Sequence, residues 1–227
     1  MHAPPPETIP VDLLLRAYRS GIFPMADHRR DREVYWVEPR ERAIIPLDEL
    51  HVSKSLRKVL RQDRFRVTCD EDFASVIAAC AQPREELAES WISHQIEASY
   101  IALHRAGHAH SVEVWQGTEL VGGLYGVAFD RVFCGESMFS RVTDASKVAL
   151  AWLVAAMRRS GYLLLDCQFM TDHLASMGAV AMPQSDYLER LFAAQGKPPS
   201  NIPVQIAAAN AHSSPGNSIA QDFTQTS

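Results

Sequence analysis

The sequence predicts an α/β fold, a mixed sheet with helices on both faces, preceded by a small N-terminal domain. Three observations carry this expectation. From residue 65 to about 195 the apolar residues keep regular spacing, with strand-like period two and helix-like period 3.6 in alternation. Within that region the runs 110–115, 119–129 and 131–139 are joined by connections short enough for hairpins, which makes an antiparallel meander. Beyond the meander strand and helix patterns alternate, and such crossovers require parallel pairing in the same sheet.

Each element follows from its own residues. Pro10-Val11 opens an early helix, Leu13, Leu14, Ala17 and Tyr18 give it an apolar stripe, and Gly21 ends it. An extended stretch with aromatic and proline residues follows, Gly21 to Met25 and then Tyr35-Trp36-Val37-Glu38-Pro39. Ser53 caps a second helix carrying Lys54, Arg57, Lys58 and Arg61. Residues 65–69 alternate as a strand, and Asp70 is the expected cap of a helix with Phe73, Val76, Ile77 and Cys80 inward. Another helix is expected from near Ser90, burying Ile92, Ile96, Tyr100 and Leu103 and stopping at Gly107. After the meander, Asp144 caps a helix closed by Gly161, residues 162–168 form a buried strand, and 172–177 a short helix. A strand at 179–182 and a helix capped by Ser185 complete the pattern. The order β-α-α-β-β-β-α-β-α-β-α resembles the N-acyltransferase (GNAT-like) fold best known from acetyl-coenzyme A enzymes. There the fourth and fifth strands splay apart and the acyl donor enters the gap.

Composition sets limits. The 227 residues carry 22 Lys plus Arg and 27 Asp plus Glu, a net charge of −5, which excludes a generally basic nucleic-acid coat protein. The longest apolar run, residues 148–157, is about half of what a membrane span needs. The N-terminus lacks a basic segment followed by an apolar stretch, so a cytoplasmic protein without secretory signal is expected. Cys69, Cys80, Cys134 and Cys167 stand far apart inside apolar segments and read as buried thiols. Three regions are expected: a small N-terminal domain over 1–62, the acyltransferase-like domain over 63–196, and a disordered tail over 197–227. The last 31 residues hold one aromatic residue and two charges, little with which to offset ordering entropy.

The chemistry gathers where the sheet should open. Alternation along the fourth meander-side strand puts Cys134, Glu136 and Met138 on one face, and Gly135, Ser137 and Phe139 on the other. On the next strand Asp166 and Gln168 share a face, roughly 7 Å apart at two strand rises. A carboxylate and an amide inside apolar strands are costly without partners. Three such groups converging on one gap point to a site. The stretch Ser140 to Lys147 contains no glycine, so it lacks the pyrophosphate loop of coenzyme A enzymes, and Asp144 brings negative charge to the helix start. Residues 51–66 hold six basic groups against Asp63 alone, charge concentrated against the global sign and suited to a phosphate backbone. Gly122-Gly123-Leu124-Tyr125-Gly126 lies inside a strand and reads as close packing. His104, His108 and His110 have no Cys or acidic neighbours in sequence, and no metal site is expected.

These residues also carry a family resemblance. Gly21-Ile22-Phe23-Pro24, the run from Gly107 to Trp115, the run from Leu120 to Val127, and Phe133-Cys134-Gly135-Glu136-Ser137-Met138-Phe139-Ser140 resemble the leucyl/phenylalanyl-tRNA–protein transferases. Asp144-Ala145-Ser146-Lys147 and Asp166-Cys167-Gln168 extend the likeness, which covers roughly 11 to 195 and omits the tail. Many members carry Asn where Thr171 stands. The resemblance implies a bacterial enzyme that moves Leu or Phe, and also Met, from aminoacyl-tRNA to the α-amine of proteins beginning with Arg or Lys. Such proteins are thereby marked for N-degron proteolysis. It implies Leu-tRNA or Phe-tRNA and a protein as partners. The sequence itself gives the expectation of no membrane, no coenzyme A and no cofactor, and a monomer is the default.

An aminoacyl ester is already activated, so the site mainly has to position an amine against the ester carbonyl. On this reading Asp166 orients Gln168, whose amide oxygen accepts from the attacking amine. Glu136 faces the cationic acceptor. Trp36, Met138, Ser137 and Phe139 line the aminoacyl pocket, and Lys54, Arg57, Lys58 and Arg61 meet tRNA phosphates. Two other classes stay open at this point: a coenzyme A-dependent N-acyltransferase and a non-catalytic tRNA-binding module.

Overall fold

The computed structural model describes residues 7–83, 89–196 and 201–224. Its N-terminal part holds helix α1 (Val11–Arg19), strands β1 (Phe23–Met25), β2 (Tyr35–Val37) and β3 (Glu41–Ile45), and helix α2 (Lys54–Arg61). Then come β4 (Arg66–Cys69), α3 (Phe73–Cys80), α4 (His94–Arg105) and the meander β5 (Ala109–Gln116), β6 (Glu119–Phe129) and β7 (Val132–Ser140). Helix α5 (Ala145–Ser160), β8 (Leu164–Gln168), α6 (Asp172–Ser176), β9 (Val180–Pro183) and α7 (Gln184–Ala194) follow, and α8 (Ile202–Asn210) and α9 (Pro215–Asp222) close the chain. No helix of the described residues is long and apolar enough to cross a membrane.

One seven-stranded sheet organises the molecule, in the order β4-β5-β6-β7-β8-β3-β9. Its pairs are antiparallel except β7 with β8, which run parallel. That parallel pair is short: Val132 faces Leu164, Phe133 faces Leu165, Cys134 faces Asp166, and the ladder stops there. Beyond Cys134 and Asp166 the two strands part, as the acyltransferase-like order requires. One apolar layer packs α5, α2, α8 and α9 on one face of the sheet, and a second packs α1, α3, α4 and α7 on the other. The glycines of β6 are there for close packing: a Cβ on Gly122 would stand 2.5 Å from Ala145 Cβ, and one on Gly126 2.2 Å from the Cys134 carbonyl.

Four expectations are corrected. Strand β3, which falls inside the N-terminal domain expected to end at 62, inserts instead into the main sheet between β8 and β9. Asp70 does not cap α3. It adopts φ +61 and accepts from His110 and the Ser111 amide, while Asp72 accepts from the Ser75 amide as the cap. The α4 cap is Ser93, whose hydroxyl takes the Ile96 amide; Ser90 only precedes it in the turn. Within the expected disordered tail, residues 201–224 form α8 and α9 instead: Ile202, Ile206, Ala209, Ile219, Ala220 and Phe223 are buried against the α5 side of the core. Composition hid this because those few apolar residues are spread at helical spacing among polar ones. The Lys197-Pro198-Pro199 boundary lies outside the described residues.

Candidate active site

The parting of β7 and β8 opens a cavity of about 930 Å³. Residues on both faces of the sheet line it. Phe23, Met25, Trp91, Tyr125 and Phe139 stand on one side, and Met138, Leu150, Leu153, Leu165 and Leu174 on the other, with Glu136 and Gln168 also in the wall.

A β-bulge aims Glu136. Tyr125 faces Ser137 and Gly126 faces Gly135, so Glu136 is the extra residue on β7. A bulge bends the strand and exchanges faces beyond it. Cys134 therefore packs with the α1/α4 layer while Met138 crosses to the α5 layer, and the expectation that Cys134, Glu136 and Met138 share a face is overturned. Glu136 keeps a partial opening to the cavity. Its Oε2 accepts from the Tyr100 hydroxyl at 3.2 Å, and its Oε1 accepts from Gln168 Nε2 at 2.9 Å. The hydroxyls of Tyr18 and Tyr100 are paired behind it. Burial pushes the Glu136 carboxyl up to about 8, with the Asp166 charge adding to the rise and the tyrosine hydroxyls opposing it. The same enclosure, together with Glu136, raises Tyr18, Tyr100 and Tyr125 well above the usual tyrosine range.

Gln168 ends β8 at φ +57, a left-handed conformation that a glutamine adopts only against a cost. Its backbone amide donates to Asp166 Oδ1 at 2.9 Å. Asp166 thus orients Gln168 through the main chain, whereas simple alternation had only put the two side chains on one face. The Nε2 bond to Glu136 then fixes the amide, with Oε1 on the opposite side of the group.

Asp166 is fully buried and fully engaged. Arg42 grips it with both arms, Nε to Oδ1 at 2.8 Å and Nη2 to Oδ2 at 2.6 Å, and the Tyr187 hydroxyl adds a bond of 3.0 Å to Oδ2. Arg42 Nη1 donates to the Gly21 carbonyl at 2.9 Å, and its guanidinium makes cation–π contacts with the rings of Phe23 and Tyr187. Sequence reasoning missed Arg42, because beside Glu41 and between turn residues it looks like solvent-facing charge. The buried apolar run Ala43-Ile44-Ile45 immediately after it was the available signal.

The other expected residues divide. Met138, Ser137 and Phe139 line the cavity. Trp36 does not: it is 41% exposed on β2, paired with Pro24. Sequence patterning assigned it by residue type alone, and the pocket's aromatic wall comes instead from Phe23, Trp91, Phe139 and Phe169. Leu150, Leu153 and Leu165 were missed as pocket residues because a buried leucine beside a gap looks like any other core leucine. On α2, Lys54, Lys58 and Arg61 are exposed, while Arg57 is half-buried with its Nε donating to the Val52 carbonyl. The helix α5 starts at Asp144, whose backbone is left-handed, and the Ser146 amide is met by the Ser140 hydroxyl. His104 and His110 both approach Asp70, an acidic partner from the preceding turn that sequence distance had hidden.

Residues 44–192 match the family described as Leucyl/phenylalanyl-tRNA protein transferase, and residues 7–40 match its N-terminal domain. The leucyl/phenylalanyl-tRNA–protein transferase of Novosphingobium aromaticivorans is 53% identical, covering 98% of this chain and 98% of its own. That of Zymomonas mobilis is 58% identical over 80% of this chain and 68% of its own. Among solved structures, a functionally unknown conserved protein of Staphylococcus epidermidis aligns over 78% of this chain and 66% of its own at 12% identity. Its TM-score of 0.42 carries no argument.

Proposed function

The chain belongs to the leucyl/phenylalanyl-tRNA–protein transferase family and so is a transferase acting from aminoacyl-tRNA to protein N-termini; from that premise we propose how its own residues do so. The donor brings Leu, Phe or Met, and the acceptor is a cytoplasmic protein beginning with Arg or Lys, marked in this way for N-degron proteolysis. Coenzyme A takes no part, and the enzyme acts as a monomer. The observation that carries the reading is the hydrogen-bonded Gln168–Glu136 pair standing in a cavity that opens through the sheet.

The ester arrives activated, so catalysis here is positioning plus management of one proton. The acceptor α-amine, with an ordinary value near 8, is partly neutral at physiological pH. Gln168 Oε1 accepts from that amine as it attacks the ester carbonyl and gains positive charge. The C–N bond forms, the ester C–O bond breaks, and the terminal ribose oxygen leaves with a proton that the amine releases.

Glu136 serves the acceptor's charge. A carboxylate accepts about four hydrogen bonds, so the bonds from Gln168 and Tyr100 leave room for the acceptor's cationic Arg or Lys side chain. A cation beside Glu136 favours its ionised form, which couples acceptor binding to the carboxyl's proton. The donor side chain enters the apolar wall formed with Met138, Ser137 and Phe139 and extended by Leu150, Leu153 and Leu165. A pocket of methyl and methylene groups separates Leu from Phe only weakly. Phosphates of the acceptor stem lie along Lys54, Lys58 and Arg61, with Arg57 contributing from its half-buried place.

The test is transfer of labelled Leu from Leu-tRNA to a peptide beginning with Arg, beside the same peptide N-acetylated, with acetyl-coenzyme A as donor in a parallel reaction. Label only on the free amine and only from tRNA is the expected result. Transfer from coenzyme A, or label on the acetylated peptide, would overturn it.

A further inference from the structure

Arg42 is the largest fully buried side chain among the described residues, and every part of it is engaged. Its two arms hold Asp166 at 2.8 and 2.6 Å, its remaining nitrogen reaches the Gly21 carbonyl at 2.9 Å, and its guanidinium carbon stands 4.9 Å from the centre of the Phe23 ring and 4.5 Å from that of Tyr187. A bidentate arginine–carboxylate pair is stronger and more directional than a single ion pair. Two consequences leave this pair. Asp166 Oδ1, held by Arg42 Nε, also receives the Gln168 backbone amide and thereby holds that residue in left-handed backbone. From there Gln168 Nε2 reaches Glu136 across the opening of the sheet. Phe23, one of the rings in contact with the guanidinium, also lines the cavity and meets Phe169, the residue after Gln168, edge to face at 5.8 Å.

We propose that Arg42 is a positioning residue for the transfer: it locks Asp166 so that Gln168 stands turned toward Glu136 with its amide oxygen presented to the incoming amine. The inference rests on the role given to Gln168 above. A buried ion pair need not contribute net stability, and here its bonds converge on the carboxylate that holds the Gln168 backbone. Lysine at position 42 keeps the charge but loses the fork, so it separates positioning from neutralisation.

The experiment is a double-mutant cycle on Arg42→Lys and Gln168→Ala, read as kcat and KM with saturating aminoacyl-tRNA and an Arg-initiated peptide. Thermal midpoint and tRNA binding serve as folding controls. Arg42→Lys should lower kcat about 100-fold, as a displacement of about 1 Å at a reacting group does, with both KM values little changed. In the Gln168→Ala background the same substitution should cause no further loss of kcat, because Arg42 then has nothing left to position. An additive loss, or a loss confined to donor KM, overturns the proposal while leaving the role of Gln168 intact. Unchanged turnover in Gln168→Ala alone overturns that role and this proposal together. Should Arg42→Lys not accumulate as folded protein, Tyr187→Phe runs through the same cycle. It removes one hydrogen bond to Asp166 but keeps the ring over the guanidinium, and should give a smaller kcat loss with the same non-additivity.

Discussion

Gln168 and Glu136 touch across the opening of the sheet, Nε2 to Oε1 at 2.9 Å, although their strands have stopped pairing at Cys134 and Asp166. A hydrogen bond thus bridges the middle of β7 and the end of β8 where the ladder between them has given way, and the groups that make it line the cavity. Gln168→Ala removes the bridge and the amide oxygen together. The expected result is a single-turnover transfer rate lower by about 100-fold, the lower end of what positioned proton transfer contributes. Affinity for aminoacyl-tRNA should not change. An unaltered rate would remove Gln168 from the chemistry.

Replacing Glu136 by Gln keeps the shape of the group and abolishes its capacity for charge. The acceptor KM should rise about tenfold, equivalent to about 1.4 kcal/mol, while the donor KM stays put. Equal losses on both substrates would mean that the carboxyl only braces Gln168 and Tyr100.

The same carboxyl gives stability a pH dependence of known sign. Its folded value is pushed to about 8 from an ordinary 4.5. Between those two values the unfolded chain loses the proton while the folded protein keeps it. The contribution is therefore fully present below about pH 4.5 and declines as pH rises toward 8. Across this window the wild-type thermal midpoint should fall relative to that of Glu136→Gln. Parallel curves for the two proteins would contradict the assignment.

Much of this arrangement was legible in the sequence, and what was not has physical reasons. The meander, the crossover helix α5 and the strand carrying Asp166 and Gln168 all follow from apolar periodicity, and the likeness of their order to the N-acyltransferase fold located the gap between β7 and β8. The Glu136 bulge could not, because an inserted residue leaves no mark on composition and reverses every face assignment after it, as Met138 shows. Strand β3 escaped notice for a related reason. Five residues between charges and Pro46 give too short a run for periodicity, and with that strand went Arg42, the partner of Asp166. The C-terminal helices failed on a compositional argument that counted charges and aromatics but not the spacing of Ile202, Ile206 and Ala209. Side-chain identity picked out Lys54, Lys58 and Arg61, which stay exposed on α2, but it also chose the half-buried Arg57 and Trp36, which is outside the cavity lining.

On α2, Lys54, Lys58 and Arg61 stay exposed while Leu56 and Leu60 bury the opposite side. Reversal of charge in Lys54→Glu/Lys58→Glu leaves the packed side untouched, so the fold should hold. If both residues meet phosphates, the slope of log affinity for tRNA against log salt should flatten by about 2. The apparent donor KM should rise with the acceptor KM constant. An unchanged salt slope would make this an ordinary solvated helix face.

The aminoacyl pocket can be located by changing its size. Leu153 is buried on α5 yet lines the cavity beside Leu150 and Leu165. Truncating it in Leu153→Ala opens room where a phenyl ring needs more than an isobutyl group. The ratio of kcat/KM for Phe-tRNA over Leu-tRNA should rise by up to about tenfold, the range within which apolar pockets discriminate methylenes. A stability loss of about 3 kcal/mol should accompany it, as for other large-to-small core substitutions. If the ratio stays constant while both donors lose rate equally, the side chain binds on the other side of the opening, against Phe23, Met25 and Trp91. The matching substitution there, Met25→Ala, would then shift the ratio instead.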